Sequence, residues 1–234
     1  MSERETRAKL RALILQHEDP TPPGLIGRWL AEQGAEVEVF RIDLEDREVD
    51  LTRYDLLVSL GSEFAAFDDT KPFVPREARL LERAVEEDVP ILGLCFGGQL
   101  LARVLGGRVF RGEEAEIGWL PVRSKDPELV PEGPWFQWHF DTFTVPEGAD
   151  LVAESDVGPQ AFVAGRSLGL QFHPEVTMEI MDEWIRAYPH ELEAEGVPPD
   201  QLMEETERRI GDSERMARQL FERFARDVAR LRLP

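Results

Sequence analysis

An α/β fold, with a mostly parallel central sheet flanked by helices, is predicted for this chain of 234 residues. Three observations indicate it. Strand and helix patterns alternate four times through the first half, as in parallel sheets joined by right-handed crossovers. The fourth predicted strand is apolar on both faces, which suits a central strand covered by helices. After Gly106 the pattern changes to strands separated by Gly and Pro turns, so antiparallel strands are expected in the second half.

The first half of the chain supplies the parallel strands of this prediction. Arg11–Gln16 is a short apolar run typical of a buried strand, and the Pro-rich stretch 20–24 is typical of a loop that starts a helix. Apolar residues then recur at helical spacing until Gly34 marks the stop. The predicted strands cover 11–16, 37–42, 55–60 and 90–94, and the predicted helices cover about 25–34 and 75–87.

The second half is predicted to be richer in antiparallel structure. Its last two strands are expected to form a hairpin around Ala164–Gly165–Arg166, because turn residues separate two short apolar runs there. The predicted strands cover 108–122, 135–145, 160–163 and 167–172.

The C-terminal part is predicted to be helical from about Met178, with a loose acidic connector over 188–200. Asp212 or Ser213 is expected to cap a final helix that carries an apolar stripe. Two interpretations of that stripe are open, docking onto the chain's own core and a surface for a dimer or partner. The predicted domains are a main domain over 1–186 and a C-terminal helical extension over 187–234.

The charge of the chain excludes some classes of partner. Lys plus Arg number 27 and Asp plus Glu number 47, so the formal net charge is −20. Phosphate backbones and anionic membrane surfaces would repel such a chain, so neither nucleic acid nor membrane is predicted as a partner. The excess of acidic side chains is interpreted as a feature that keeps the protein in solution. The alternative is an acidic docking face for a basic partner.

A cytoplasmic location and the absence of cofactors are predicted from what the sequence lacks. The N-terminus, 1–9, shows no signal-peptide pattern, and no stretch is apolar enough to cross a bilayer. One cysteine fits a reducing compartment, since it cannot form an intramolecular disulfide. No Gly-rich phosphate loop with Lys-Ser or Lys-Thr is present, and the histidines are scattered, so neither an ATP site nor a metal site is predicted.

Cys95 has the surroundings of a nucleophile. An apolar strand leads into Gly93–Leu94–Cys95–Phe96–Gly97–Gly98–Gln99 and a helix leads out, which is the pattern of a nucleophile elbow. The N-terminus of the helix favours a thiolate, and its amides, above all that of Phe96, are suited to a developing oxyanion. The alternative is a buried structural cysteine, which is common in proteins but rarely has glycines in this arrangement.

His173 and Glu175 are the predicted partners of Cys95. His173 follows an apolar strand, and an imidazole titrates near neutrality, as an acid for a leaving amine should. In an extended segment the side chains at i and i+2 lie on one side, so Glu175 is expected to bond one ring nitrogen and leave the other facing the sulfur.

These two motifs, Gly-Leu-Cys-Phe-Gly-Gly-Gln and Gln-Phe-His-Pro-Glu, resemble those of triad-type class I glutamine amidotransferases. The layout over roughly residues 10–186 is most similar to stand-alone relatives of the GMP synthase glutaminase domain. The resemblance implies a flavodoxin-like sheet and hydrolysis of a γ-glutamyl amide through a thioester on Cys95. It also implies His173 as acid and base and Glu175 as the carboxylate that orients it.

The resemblance also implies further site residues. Gly61 stands where the family keeps an oxyanion-hole glycine, whose amide would pair with that of Phe96. Gln99 would help to hold the substrate, and His139 lies in a stretch like the family's Trp-His-Gly-Asp, with Phe140 replacing the glycine. Each of these assignments has an alternative that involves no role in catalysis or substrate binding: a strand-end turn for Gly61, a helix cap for Gln99 and a structural role for His139.

Three functions are consistent with these motifs. The first is a glutaminase that acts on L-glutamine and passes ammonia to a separate synthetase, since residues after 186 leave no room for one. The second is a stand-alone γ-glutamyl hydrolase acting on glutathione-like compounds. The third is a non-catalytic binding subunit. The shape of the pocket wall is expected to distinguish the first function from the second, because a narrow pocket admits a side-chain amide and an open one admits a peptide. The residues expected to form this wall are Trp119, Arg123, Trp138 and Phe140.

Overall fold

Nine strands form one mixed sheet in the computed structural model, which describes residues 9–233 of the chain. They are β1 (Arg11–Gln16), β2 (Glu36–Arg41), β3 (Leu56–Ser59), β4 (Ile91–Leu94), β5 (Val109–Ser124), β6 (Gly133–Phe143), β7 (Asp150–Glu154), β8 (Pro159–Ala164) and β9 (Ser167–Leu170). Their spatial order is β2-β1-β3-β4-β9-β8-β7-β5-β6. β2, β1, β3, β4 and β9 run parallel, and the remaining pairs are antiparallel. The predicted flavodoxin-like α/β sheet, with antiparallel strands in the second half, is confirmed.

Six α-helices accompany the sheet in the described residues. They are α1 (Gly24–Glu32), α2 (Phe73–Glu86), α3 (Phe96–Val104), α4 (Met178–Ala187), α5 (Pro189–Ala194) and α6 (Pro199–Arg223), with a π-turn at Phe224–Val228. Proline at the first helical position starts both α5 and α6, because its fixed φ suits a helix and its missing N–H is not needed there.

The two faces of the parallel sheet carry separate apolar cores. Along β1, Ala12 and Ile14 contact the core that holds α1 and α6, whereas Leu13 and Leu15 contact the core that holds α2 and α3. This alternation follows from the period of two in a strand, and both faces are apolar because helices cover both. β4 lies between β3 and β9, so the prediction that it is a central parallel strand is confirmed.

The tail differs from the prediction in two respects. The segment expected to be a loose connector contains α5, whose Leu192 is buried. The expected cap residues Asp212 and Ser213 lie inside α6, which begins at Pro199, and Ser213 is itself buried. Residues 204–215 are mostly polar, and most of their side chains lie outside the core. The sequence therefore shows no apolar pattern there to indicate that the helix continues.

The apolar stripe of the tail packs on the chain's own core. Leu220, Phe221 and Phe224 are at most 1% exposed and share a cluster with Trp29 of α1, whose ring lies 5.9 Å from that of Phe221. The division at residue 187 into a domain and an extension stays a prediction.

Two smaller points complete the comparison with the sequence. β7 was not predicted, because Asp150–Glu154 is short and its ladder with β8 is irregular. Within residues 9–233, no helix combines the length and the apolarity needed to cross a bilayer. The prediction about a signal peptide rests on 1–8 as well, and those residues lie outside the described part of the chain.

Candidate active site

Cys95 occupies a sharp turn between β4 and α3. Its backbone has φ +48° and ψ −106°, outside the regions that residues with a Cβ favour, and its N–H donates to the Leu170 carbonyl at 2.9 Å. The predicted elbow is therefore present. Strain of this kind persists only where the surrounding structure imposes it, and it is typical of functional sites.

Two glycines let the first turn of α3 lie directly on the sheet. A Cβ on Gly97 would lie 2.2 Å from the Ser59 carbonyl oxygen, and a Cβ on Gly98 would lie 2.2 Å from that of Leu170. No side chain fits at such distances, so both positions need glycine. The close approach brings the N-terminus of α3, with its partial positive charge, to the sulfur.

His173 and Glu175 form a buried pair beside Cys95. The Nδ1 of His173 lies 2.7 Å from Oε1 of Glu175, whereas its Nε2 has no protein partner in the described chain. β9 ends at Leu170, so His173 lies in the loop after the strand and not at the strand's last residue. Its own N–H donates to the Phe136 carbonyl at 2.9 Å, and the Trp184 ring packs edge-on at 4.8 Å.

The surroundings of His173 favour its charged form. Burial alone would lower its pKa, but the charge of Glu175, its hydrogen bond to the ring and the charge of Cys95 outweigh burial and raise the pKa of His173 to about 10. An imidazolium is therefore favoured beside the sulfur, with the carboxylate on its far side. Such an arrangement can hold a proton ready for a leaving group.

Gly61 lies against both reactive side chains. A Cβ built on it would be 3.0 Å from Cε1 of His173 and 3.7 Å from Cβ of Cys95. The Gly97 N–H donates to the Leu60 carbonyl at 3.1 Å, which fixes the peptide that carries the Gly61 N–H. Phe96 is the first residue of α3, where an N–H has no acceptor within its own helix. The two amides predicted for an oxyanion hole thus lie on the two segments that flank Cys95.

Gln99 is held by the protein near the sulfur. Its Nε2 donates to the Asp141 carbonyl at 3.0 Å and to Oε1 of Gln171 at 3.2 Å. The Nε2 of Gln171 in turn lies 3.7 Å from Sγ of Cys95. Gln171 is a site residue that was not predicted, although it precedes His173 by two residues and side chains at i and i+2 share one side of an extended segment.

His139 lies in the wall of the same cavity and contacts protein oxygens with both ring nitrogens. Nδ1 lies 3.1 Å from the Asp141 carbonyl, and Nε2 lies 3.1 Å from Oε2 of Glu116 without the alignment of a hydrogen bond. Glu116 also accepts from Gln160 at 2.7 Å. His139 is therefore fixed in orientation, with Phe140 next to it in the cavity wall.

A cavity of about 250 Å³ opens above Cys95 and His173. Trp138 and Phe140, two of the four residues expected to bear on its wall, line it. The other two do not: Trp119 lies deeper in the apolar cluster that also holds Trp138 and donates to Thr206 at 3.0 Å, and Arg123 pairs with Asp156 at 2.6 Å. The remaining lining residues are Thr21, Ser62, Glu63, Phe64, Ala65, Phe67, Gln99, Arg111, His139, Asp141, Trp184, Tyr188 and Glu191.

Acidic side chains dominate the charge of the cavity. Glu63, Asp141 and Glu191 line the cavity. Among the described residues, Arg111 is the only basic side chain, Lys or Arg, that lines it. Arg111 lies 3.7 Å from the carboxylate of Asp141, whose pKa is raised because burial outweighs this cation. No group of three His, Cys, Asp or Glu side chains among residues 9–233 is arranged as a metal site.

Comparison with known proteins identifies relatives for the whole described fold. The family model described as Glutamine amidotransferase class-I matches residues 24–187. The chain is similar to a glutamine amidotransferase from Thermotoga maritima (34% identity, TM-score 0.86, covering 93% of this chain and 99% of that one). It is also similar to a glutamine amido transferase from Methylobacillus flagellatus (28% identity, TM-score 0.87, covering 97% of each chain).

The chain also resembles part of a longer enzyme. A GMP synthase (glutamine-hydrolyzing) of Thermus thermophilus is 34% identical over 203 residues, which are 80% of this chain and 38% of that protein. That of Vibrio vulnificus strain YJ016 is 29% identical over 163 residues, 65% of this chain and 30% of that protein. The chain therefore spans about a third of the length of these curated relatives.

Proposed function

Because the chain belongs to the class I glutamine amidotransferase family, we propose that it hydrolyses the γ-amide of L-glutamine and releases ammonia, with Cys95 as the nucleophile. One observation carries the proposal. The buried imidazole of His173 is bound through Nδ1 to Glu175, while its Nε2 has no protein partner in the described chain and belongs to a ring that lines the cavity with Cys95. This is the arrangement that a nucleophile, an acid–base and an orienting carboxylate require.

In the first half of the reaction the sulfur forms a bond to the amide carbon. The Cys95 thiolate attacks Cδ of glutamine, and the carbonyl electrons move onto the oxygen, which the amides of Gly61 and Phe96 stabilise. As the tetrahedral intermediate collapses, His173 donates its proton to the departing nitrogen. The products of this step are ammonia and a γ-glutamyl thioester on Cys95.

In the second half water replaces the sulfur. His173, now neutral, takes a proton from a water molecule, whose oxygen attacks the thioester carbon. Collapse of the second intermediate breaks the carbon–sulfur bond and releases glutamate and the thiolate. Glu175 keeps Nδ1 as the bound nitrogen, so that Nε2 performs both transfers.

Gln99 and His139 serve as substrate-binding residues in this proposal. Both line the cavity, and both are held through the Asp141 carbonyl, so their orientations are set before glutamine arrives. The acidic residues Glu63 and Glu191 are suited to the α-ammonium group of glutamine, and Arg111 is suited to its α-carboxylate.

The charge of the cavity supports glutamine over glutathione. Glutathione carries a second carboxylate beyond the scissile amide, and Glu63, Asp141 and Glu191 would repel it. Ammonia, the leaving group from glutamine, meets no such repulsion. Two alternatives to glutamine hydrolysis have to be distinguished by experiment: hydrolysis of γ-glutamyl peptides and a non-catalytic binding role.

Ammonia is proposed to pass to a separate synthetase. The GMP synthases that resemble this chain are described as glutamine-hydrolyzing, and the matched region is about a third of each protein. By analogy, the acceptor reaction would take place on another polypeptide or domain.

The test is glutamate release by the purified chain from L-glutamine and, in parallel, from glutathione, with Cys95→Ala as the control. We expect release from glutamine and none from the variant. Preference for glutathione would reassign the chain as a γ-glutamyl hydrolase, and equal turnover by Cys95→Ala would contradict the nucleophile. If neither substrate yields glutamate and a glutamine-mimicking electrophile does not label Cys95, the result would indicate the non-catalytic role.

A further inference from the structure

A second buried ionisable pair lies behind Gly61, outside the residues already discussed. His17 follows β1 directly, and Glu77 belongs to α2; both are at most 1% exposed. The Nε2 of His17 lies 2.7 Å from Oε2 of Glu77, and its Nδ1 lies 3.0 Å from the Gly61 carbonyl oxygen. Ser59 donates its hydroxyl to the other carboxylate oxygen of Glu77 at 2.6 Å.

The bonding pattern defines the charge of this pair. Both ring nitrogens of His17 face oxygens, and an imidazolium with two N–H donors, paired with a Glu77 carboxylate, satisfies both contacts. Burial alone would lower the pKa of His17, but Glu77 and the Gly61 carbonyl together outweigh burial and raise that pKa. The ring is enclosed by Phe96 and Phe73, with centroids 4.6 and 5.6 Å away.

Burying such a pair has a stability cost that apolar residues of the same volume would avoid. Its location indicates what it contributes. A Cβ at Gly61 would lie 3.0 Å from Cε1 of His173, so a larger residue would push the imidazole or the loop by a few tenths of an ångström, and glycine avoids this displacement. Glycine leaves the backbone free to rotate, and a rotated peptide would turn the Gly61 N–H away from the reacting carbonyl.

Two hydrogen bonds remove that freedom, one for each peptide that meets at Gly61. The peptide before it is held by the Gly97 N–H on the Leu60 carbonyl, and the peptide after it is held by His17 on the Gly61 carbonyl. With both planes fixed, φ and ψ of Gly61 are fixed as well.

We propose that His17, held by Glu77, is a positioning residue: by holding the peptide after Gly61 it acts together with the Gly97 bond on the peptide before it to keep the Gly61 N–H in place as an oxyanion donor, so that this donor is preassembled in the isolated chain. The proposal rests on the glutaminase function above. Its consequence is that turnover needs no partner to arrange this loop. Next to His17, Glu18 accepts a hydrogen bond from the Glu63 N–H at 2.8 Å and so holds the loop further along.

Two double variants test the lock. His17→Leu with Glu77→Leu removes the donor and leaves no unpaired charge. His17→Asn with Glu77→Gln keeps a side-chain N–H at the position of Nδ1. Since loss of one oxyanion donor costs about 10²-fold or more in kcat, we expect the apolar pair to lose about 10²-fold in kcat with little change in KM. We expect the polar pair to recover most of that loss.

Two measurements distinguish a loss of positioning of the Gly61 amide from a general disruption of the active site. Iodoacetamide alkylates Cys95, the sole cysteine of the chain, by displacement at a saturated carbon, so it needs no oxyanion donor and its rate should not change. Amide hydrogen exchange of a peptide covering Gly61 and Ser62 should be faster in the apolar pair and near wild type in the polar pair. Thr206→Val, a buried polar deletion elsewhere that leaves Trp119 without its acceptor, is the matched control for lost stability.

Each outcome decides the proposal. Falling kcat with unchanged alkylation and faster exchange supports it. Parallel loss of turnover and alkylation, or wild-type turnover in the apolar pair, overturns it. If the apolar pair does not fold, His17→Leu with Glu77→Gln replaces it, because that variant also removes the donor to the Gly61 carbonyl; unchanged kcat and exchange in it overturn the proposal. If the wild type releases no glutamate at all, the proposed function fails while exchange at Gly61 still decides the lock.

Discussion

Gly61 and His173 are in contact across the candidate active site, since a Cβ on Gly61 would lie only 3.0 Å from Cε1 of the imidazole. The two residues belong to different loops, one after β3 and one after β9, and Cys95 lies between them after β4. These parallel strands are neighbours in the sheet, so their carboxyl ends bring the three residues to one edge, where open α/β sheets bind ligands.

Gly61→Ala should impair turnover without unfolding the chain. The added methyl would displace the imidazole or the loop by a few tenths of an ångström and so weaken the alignment of the Gly61 amide; loss of that donor altogether would lower kcat by about 10²-fold, which sets the upper end of the expected effect. Glutamate release from glutamine measures the effect. Gly211→Ala is the control, because a Cβ there meets nothing within 4 Å; this variant should keep wild-type turnover. A fully active Gly61→Ala would argue against an oxyanion role for this loop.

Glu175→Gln should lower the pKa of His173. The Glu175 charge is among the interactions that raise this pKa to about 10, so its loss moves the imidazole back toward 6.5. The imidazolium would then be lost at lower pH, and the alkaline limb of the activity profile should shift to lower pH while kcat falls by about 10²-fold or more. The pH dependence of kcat/KM is the measurement. An unshifted alkaline limb would contradict the assignment of that limb to His173.

Stability should decline at alkaline pH because of His173. Its folded pKa, about 10, lies above the value of 6.5 expected in the unfolded chain. The stabilisation is therefore fully present below about pH 6.5 and is lost as pH rises toward 10. Thermal unfolding at pH 7 and pH 10 should show a larger decrease in Tm for the wild type than for His173→Gln. Equal decreases in the two proteins would remove His173 as the cause.

Gln171→Leu should make Cys95 less reactive. Its amide lies 3.7 Å from the sulfur and also bonds Gln99, so the variant removes a donor that favours the thiolate. We expect iodoacetamide alkylation at pH 7 to slow by several fold. Gln137→Leu, also fully buried but bonded to Gln160, is the matched control. Equal alkylation rates in the two variants would show that Gln171 does not act on the sulfur.

Neutralising the cavity should change substrate preference. Glu63→Gln with Glu191→Gln removes two of the charges that repel the second carboxylate of glutathione. We expect the ratio of kcat/KM for glutathione to that for glutamine to rise by about tenfold, more at low salt than at high salt. A ratio that stays constant would mean that shape, and not charge, selects the substrate.

Much of the fold could be predicted because strand and helix patterns are local. The alternation of apolar residues in β1 and the turn at Gly165 identify their elements without reference to the rest of the chain. β7 and the single long α6 escaped prediction for the opposite reason. β7 depends on an irregular pairing with β8, and the polar middle of α6 gives no local sign that the helix continues.

The sequence by itself determined which chemistry is available. The cysteine between glycines and the His-Pro-Glu motif predict Cys95, His173 and Glu175 as the reacting residues, because spacing within a turn or an extended segment sets how near neighbouring side chains lie. Only the tertiary structure decided which distant residues complete the site. Gln171, Glu63 and the His17–Glu77 pair lie near Cys95 or Gly61 although they belong to other segments of the chain, and the parallel order of the strands, which places loop after loop at one edge, brings them together.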